Sequence, residues 1–270
     1  MKKFLVIGNP IEHSLSPPLH NYWIKKNNIE AIYEKQKIEE KDLKDLVVKV
    51  KERKINGVNI TVPFKNKIIP HLDKLSKEAQ ETQSVNTIYL NENKVVGHNT
   101  DVEGFELSIK EVQFNIANKK ILILGAGGVV PSIIYALNKI KVHKIILSNR
   151  TKKKAENLLH LSNKVEVTDW GIIPDFDMII NATSVGLNDK DALDLDLSKV
   201  GKDKLFYDVI YNPKETIFLK NAKKSGNKIE NGKRMFIHQA AISFKIWHNI
   251  EPEINEEVIK LLDKWKELEF

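Results

Sequence analysis

Four polar clusters in the N-terminal half of the chain carry side chains able to do chemistry: NPIEHSLSP (9–17), NITVPFK (59–65), VNT (85–87) and GHNTDVEG (97–104). Together they offer hydroxyl, amide, amine and carboxylate groups, a set suited to a small polyhydroxylated acid. Lys65 supplies the amine, and taken alone it reads as a surface lysine after a proline turn. Taken singly, each cluster also reads as a turn or a helix cap, and Ser14 and Ser16, just ahead of Pro17, are N-cap candidates. His13 and His98 are not at metal-ligand spacing, and no metal is expected. The chain has no cysteine, which excludes disulfides, thiolate metal sites and a cysteine nucleophile.

A second constellation lies further along. ILILGAGG (121–128) puts three glycines at a strand-to-helix turn, where a backbone without Cβ atoms can approach a pyrophosphate and helix N-terminal amides face its charge. Val130 stands where the third glycine of G-x-G-x-x-G belongs, so this turn alone does not separate a nucleotide site from a tight connection. The end of the next strand decides more. An NAD site presents an acid there to the ribose hydroxyls; this chain presents Ser148-Asn149-Arg150-Thr151. Arginine pairs with a 2′-phosphate where a carboxylate would repel it, so NADP is expected over NAD. NATSVGL (181–187) follows the third strand of this unit, in position to pass beside the nicotinamide.

These groups need elements to hold them. Short β-branched runs alternate with helical patterns, an α/β signature, and the expected strands are 4–8, 57–62, 85–90, 119–125, 143–148, 177–183 and 205–210. Several are apolar on both faces, which favours parallel sheets covered by helices on each side. Residues 37–54 read as a solvated amphipathic helix, 102–118 as a second helix, and the stretch from Met235 as two helices parted near Glu251-Pro252. The expected architecture is two α/β domains: residues 1–101 plus 235–270 for substrate and 102–234 as a Rossmann-like NADP domain, with the active site in the cleft between them.

The net charge of +7 arises from 43 basic against 36 acidic residues, but the lysines are interleaved with acids and make no basic stripe. Only RTKKK (150–154) is dense, and the 2′-phosphate accounts for it. No nucleic acid and no membrane are expected as partners; the apolar run 4–7 is too short for a secretory segment, and a cytoplasmic setting is the expectation.

The motifs, in order from Gly8 to Gln239, resemble those of the shikimate dehydrogenase family. HSLSP, N-x-T-x-P-x-K as NITVPFK, VNT, and G-x-N-T-D-x-x-G as GHNTDVEG all match, as do GAGG, NRT, NATSVGL, YNP (211–213) and NGKRMFIHQA (231–240). The resemblance implies reversible NADPH-dependent reduction of 3-dehydroshikimate to shikimate, a step of chorismate and aromatic amino acid biosynthesis. It implies Lys65 and Asp101 as catalytic pair, and Ser14, Ser16, Thr61, Lys65, Asn86, Asp101, Tyr211 and Gln239 as substrate-binding residues. For NADP it implies Gly125, Ala126, Gly127, Gly128, Val129, Asn149, Arg150, Thr151, Lys154, Thr183, Val209 and Gly232. Rival expectations are a quinate/shikimate dehydrogenase of broader specificity and a non-catalytic nucleotide-binding relative, with a homodimer as an open alternative.

Overall fold

The structure is a computed structural model that describes residues 1–188 and 190–264. The last six residues of the expected substrate domain lie outside the described residues. The chain divides into two compact units, Met1–Thr100 with Gln239–Phe270, and Asp101–His238.

In the first unit the elements run β1 (Lys2–Gly8), α1 (Ser16–Lys26), β2 (Ala31–Lys37), α2 (Leu43–Lys51), β3 (Gly57–Ile60), β4 (Lys74–Leu75), α3 (Lys77–Thr82), β5 (Thr87–Asn91) and β6 (Lys94–His98). They form a six-stranded sheet of order β2-β1-β3-β5-β6-β4. This sheet is mixed rather than parallel, because β5 pairs antiparallel with both β3 and β6. The β5–β6 hairpin turns on Glu92 (φ 47°) and Asn93 (φ 60°), left-handed residues that suit a two-residue turn; without a glycine there the sequence gives little sign of it. Leu5, Ile7, Val58, Ile60 and Ile88 bury one face against Leu43, Leu46, Val47 and Val50 of α2. The helix expected over 37–54 is α2 alone, preceded by a 3-10 turn at Glu40–Asp42 where Glu39 and Asp42 make a reciprocal cap.

The second unit continues from α4 (Thr100–Val112) through β7 (Lys120–Leu124), α5 (Val130–Ile140), β8 (Lys144–Ser148), α6 (Lys152–Glu156), β9 (Val165–Thr168), β10 (Met178–Asn181), β11 (Leu205–Asp208), α7 (Ile217–Lys224) and β12 (Lys228–Glu230). Then follow α8 (Lys233–His248) and α9 (Glu256–Lys264). Helix α4 stops at Val112, short of the expected 118, because Gln113 turns to a left-handed φ of 54°. The second sheet is wholly parallel, in the order β12-β11-β10-β7-β8-β9. Its first strand, β7, has β8 on one side and β10 on the other, the doubly wound dinucleotide arrangement with its switch point between β7 and β10. Alternate residues serve opposite faces: Ile121, Ile123, Met178 and Ile180 enter one core, and Leu122, Leu124 and Ile179 the other. That double burial is why these strands read as unbroken apolar runs. Among the described residues no helix is long and apolar enough to cross a membrane.

In the first unit α8 lies on β3 through Trp247. A Cβ on Gly57 would stand 2.3 Å from Trp247 Nε1, so this strand position has to be glycine for the helix to seat. The indole N–H donates to the Ile88 carbonyl at 3.2 Å. The division between the units falls inside α4 and α8.

Candidate active site

In the first unit the expected substrate residues are held largely by backbone. Thr61 follows β3, with its N–H donating to the Ile7 carbonyl at 3.0 Å and its carbonyl accepting from the Phe64 N–H at 2.9 Å. Phe64 is buried and anchors the loop, which leaves Lys65 half-buried at its end, its carbonyl accepting from the Val85 N–H at 2.8 Å. Ser16 is the first residue of α1 and 7% exposed; Ser14 is half-buried ahead of it. Neither is the N-cap expected from the sequence. Leu15 takes that position without a side-chain bond, and the Ser14 hydroxyl accepts from the Ser16 N–H at 3.3 Å in a local turn.

Asn86 sits in a buried polar network. Its Oδ1 accepts from the Thr100 N–H at 2.8 Å, which fixes the carboxamide's orientation because a backbone amide can only donate. Its Nδ2 then donates to Thr100 Oγ1 at 2.8 Å and reaches Gln239 Oε1 on α8 at 3.4 Å. Behind Asn86, the Asn59 amide donates toward Thr87 Oγ1 and Ser243 Oγ, both at 3.0 Å, while its Oδ1 accepts from the Tyr33 hydroxyl at 2.6 Å. Ser243 donates to the Gln239 carbonyl one turn back at 3.0 Å. Burial pushes the Tyr33 hydroxyl well above its ordinary range, which keeps it a donor. Asn86 and Gln239 thus meet on one network. Asp101, assigned to the second unit, lies in the first turn of α4 and is 6% exposed, a position where the helix dipole favours an anion.

The second unit gathers the expected cofactor residues at one sheet edge. Leu124, Ser148, Asn181 and Asp208 close their strands in mutual register, so the segments after them begin side by side: Gly125, Asn149, Ala182 and Val209. Gly125 has φ 108°, and a Cβ there would meet the Ala182 carbonyl oxygen at 2.8 Å; its N–H donates to the Ser148 carbonyl at 2.8 Å. Gly127 differs. A Cβ there would have the Ala182 oxygen at 3.9 Å as its only close neighbour, so packing does not demand glycine, whereas the approach of a pyrophosphate does. Helix α5 starts at Val130 with no acid in its first turn and no side-chain cap, leaving its positive end available to phosphate.

Within 150–154, Lys152 pairs with Asp169 at 2.7 Å and Lys153 with Glu156 at 3.7 Å. Arg150 is exposed, and neither it nor Lys154 has an ion-pair partner among the described residues. Asn149 Nδ2 donates to the Thr151 carbonyl at 2.8 Å, shaping the turn that carries Arg150. These groups fit a 2′-phosphorylated dinucleotide. Gly232 packs where a Cβ would collide with the Val209 oxygen at 2.0 Å, and Tyr211 stacks on Phe236 at 4.7 Å with burial pushing its hydroxyl up to about 12.

The chain matches the family model of the shikimate dehydrogenase substrate binding domain over residues 6–88 and that of shikimate / quinate 5-dehydrogenase over 106–195. It is 59% identical, over 97% of its length and 99% of the relative's, to a protein of Pelagibacter ubique named shikimate dehydrogenase (NADP(+)). The chain belongs to the shikimate dehydrogenase family. Among solved structures of that family, the Aquifex aeolicus enzyme is 38% identical with a TM-score of 0.88, covering 96% of each chain. The Thermus thermophilus enzyme in complex with NADP(H) and shikimate is 30% identical with a TM-score of 0.88, covering 97% of this chain and 100% of that one. The two family models leave Asp101, Val209, Tyr211, Gly232 and Gln239 outside their matched ranges, so these positions rest on the motifs and the geometry.

Sequence reading passed over the groups that support the family's motif residues. Asn59, Thr87 and Thr100 lie within NITVPFK, VNT and GHNTDVEG, beside residues whose side chains carry more evident chemistry. Ser243 has no local signal beyond being polar in AAISFKIW. Asn181 and Asp208 were legible in principle, as polar residues closing the apolar runs DMIIN and LFYD.

Proposed function

We propose that this chain is a cytoplasmic oxidoreductase that reversibly reduces 3-dehydroshikimate to shikimate with NADPH, in the pathway to chorismate and the aromatic amino acids. The observation that carries this reading is near-full-length likeness to NADP(+)-named relatives in a chain that has Lys65, Asp101 and Arg150 in place. NADPH supplies the hydride when bound. Lys65 holds its ammonium toward the substrate oxygen, stabilises the alkoxide as it forms, and donates the proton that makes the hydroxyl. Asp101 orients that ammonium. Ser14, Ser16, Thr61, Asn86, Tyr211 and Gln239 hold the substrate's hydroxyls and carboxylate. Gly125 to Val129 take the pyrophosphate, Asn149 to Thr151 and Lys154 the adenosine 2′-phosphate, and Thr183, Val209 and Gly232 the nicotinamide side.

The test follows absorbance of NADPH formed with shikimate and then with quinate, using NADP and NAD in turn. Turnover of shikimate with NADP is the expected result, with NAD far poorer. Equal use of quinate would broaden the substrate class, and no turnover with any pair would overturn the reading.

A further inference from the structure

Asp208 is fully buried at the end of β11, and among the described residues no lysine or arginine forms an ion pair with it. An unpaired carboxylate costs several kcal/mol to bury unless donors surround it. Here they do. Asn181 Nδ2 reaches both carboxylate oxygens at 3.1 and 3.2 Å, the Ile210 N–H donates at 3.0 Å, and the Thr216 hydroxyl donates at 2.7 Å. Each donor governs a different segment. Asn181 Oδ1 accepts from the Thr183 N–H at 3.1 Å and the Thr183 hydroxyl at 2.7 Å, and its Nδ2 also reaches the Val185 carbonyl at 3.1 Å. Ile210 carries the 209–211 segment, and its carbonyl accepts from the Gly232 N–H at 3.1 Å. Thr216 caps α7.

We propose that Asp208 is a positioning residue for the nicotinamide, locking the 181–185 turn and the 209–211 segment so that Thr183, Val209 and Gly232 present one surface. This rests on the reading above that those three residues face the nicotinamide. An apolar residue at this strand end would avoid the desolvation penalty but could not tie the two segments together, since only an acceptor with several lone pairs takes donors from both. Burial raises the carboxyl to about 6, and its donors work against that rise, as they must to keep it ionised near neutrality.

The experiment is Asp208→Asn in the full-length protein. The substitution keeps size and shape but turns an acceptor toward Asn181 and Thr216 into a donor. Binding of NADPH and of adenosine 2′,5′-bisphosphate, which carries only the adenine end, is titrated alongside kcat, the shikimate KM and the melting temperature. Expected are unchanged bisphosphate affinity and shikimate KM with kcat/KM for NADP lowered about 10- to 100-fold, the scale of a small misplacement at a reacting centre. Wild-type kcat/KM for NADP overturns the proposal. So does a parallel loss of NADPH and bisphosphate affinity, the mark of general damage to the unit. If Asp208→Asn fails to fold, Thr216→Val removes one donor only and must show the same selective loss in smaller measure; no loss overturns. A wild-type protein that does not turn over shikimate refutes the proposed function instead, and NADPH against bisphosphate binding in the variant still decides this one.

Discussion

Lys65 ends a loop whose backbone is tied by the Thr61, Phe64 and Lys65 main-chain bonds, and replacing its side chain leaves those bonds in place. Lys65→Ala is expected to lower turnover by about 10²–10⁴, the usual worth of a positioned proton donor, while shikimate affinity changes less. Single-turnover rates beside a binding titration check this, and near-normal turnover would remove Lys65 from the chemistry. Arg150 and its neighbours make a sharper contrast. Lys152 and Lys153 already have acidic partners, so Arg150 and Lys154 are the cations with charge to give a ligand. Arg150→Ala should weaken NADP by about 30- to 700-fold, or roughly 2–4 kcal/mol of charge-assisted hydrogen bonding, and leave NAD nearly as it was. Lys152→Ala should change neither appreciably. Comparing kcat/KM for the two cofactors in both variants tests the pair, and equal losses for NADP and NAD in Arg150→Ala would refute the phosphate contact. These residues were legible in the sequence because their chemistry is local: a proline turn ending in lysine, an arginine just past a strand.

At the scale of elements, Ser243 ties α8 to β3 and β5 through Asn59 and Thr87. Ser243→Ala would remove the α8 hydroxyl from this network while Asn59 Nδ2 keeps the Asn86 carbonyl and Thr87 Oγ1, and Thr87 keeps Asn86 Oδ1, so the cost is that of one lost hydrogen bond, about 0.5–1.5 kcal/mol. The expected outcome is a lower melting temperature together with a raised shikimate KM, because Asn86 and Gln239 share the network; a melting shift with unchanged KM would confine Ser243 to stability. No sequence pattern announces such a contact, for it joins residues more than 150 positions apart and depends on Gly57 letting Trp247 close on β3. The same limit explains the strands that went unread. Of β2, β4, β6, β9 and β12, β4 and β12 are only two and three residues long, β2 and β9 carry charged residues such as Glu34 and Glu166, and β6 is reached by a turn of Glu92 and Asn93 that lacks glycine. The parallel sheet was readable since both its faces are buried. The mixed sheet was not, because antiparallel pairing is set by turn geometry and not by composition.

At the scale of the whole molecule, the two units carry buried titratable groups of opposite sign. His20 in the first unit is 1% exposed, stacked on Tyr33 at 4.2 Å, and neither ring nitrogen has a partner among the described residues. Burial lowers it to about 3, and burial also lowers His248, 4.3 Å ring to ring from Phe244, to about 4. A histidine whose folded pKa is depressed stabilises the fold fully above its unfolded value and loses that contribution as pH falls toward the folded one. The first unit therefore weakens from about pH 6.5 downward, by about 3 kcal/mol at pH 4.5 from His20 alone. Asp208 in the second unit runs the other way: raised from 3.8 to about 6, it penalises the fold when ionised, and acid relieves that penalty between those values. Acid unfolding should thus begin in the first unit. Pulse-labelled hydrogen exchange, after incubation at pH 4.5 and at pH 7 with labelling at one common pH, should show β1, α1 and the end of α8 losing protection while β7, β8 and β10 keep theirs. His20→Phe fills the same stacked position without the two stranded nitrogens, so it should raise the melting temperature at pH 4.5 more than at pH 7 and delay that early loss. Simultaneous loss of protection in both units, unmoved by His20→Phe, would mean that these buried groups do not set the acid limit.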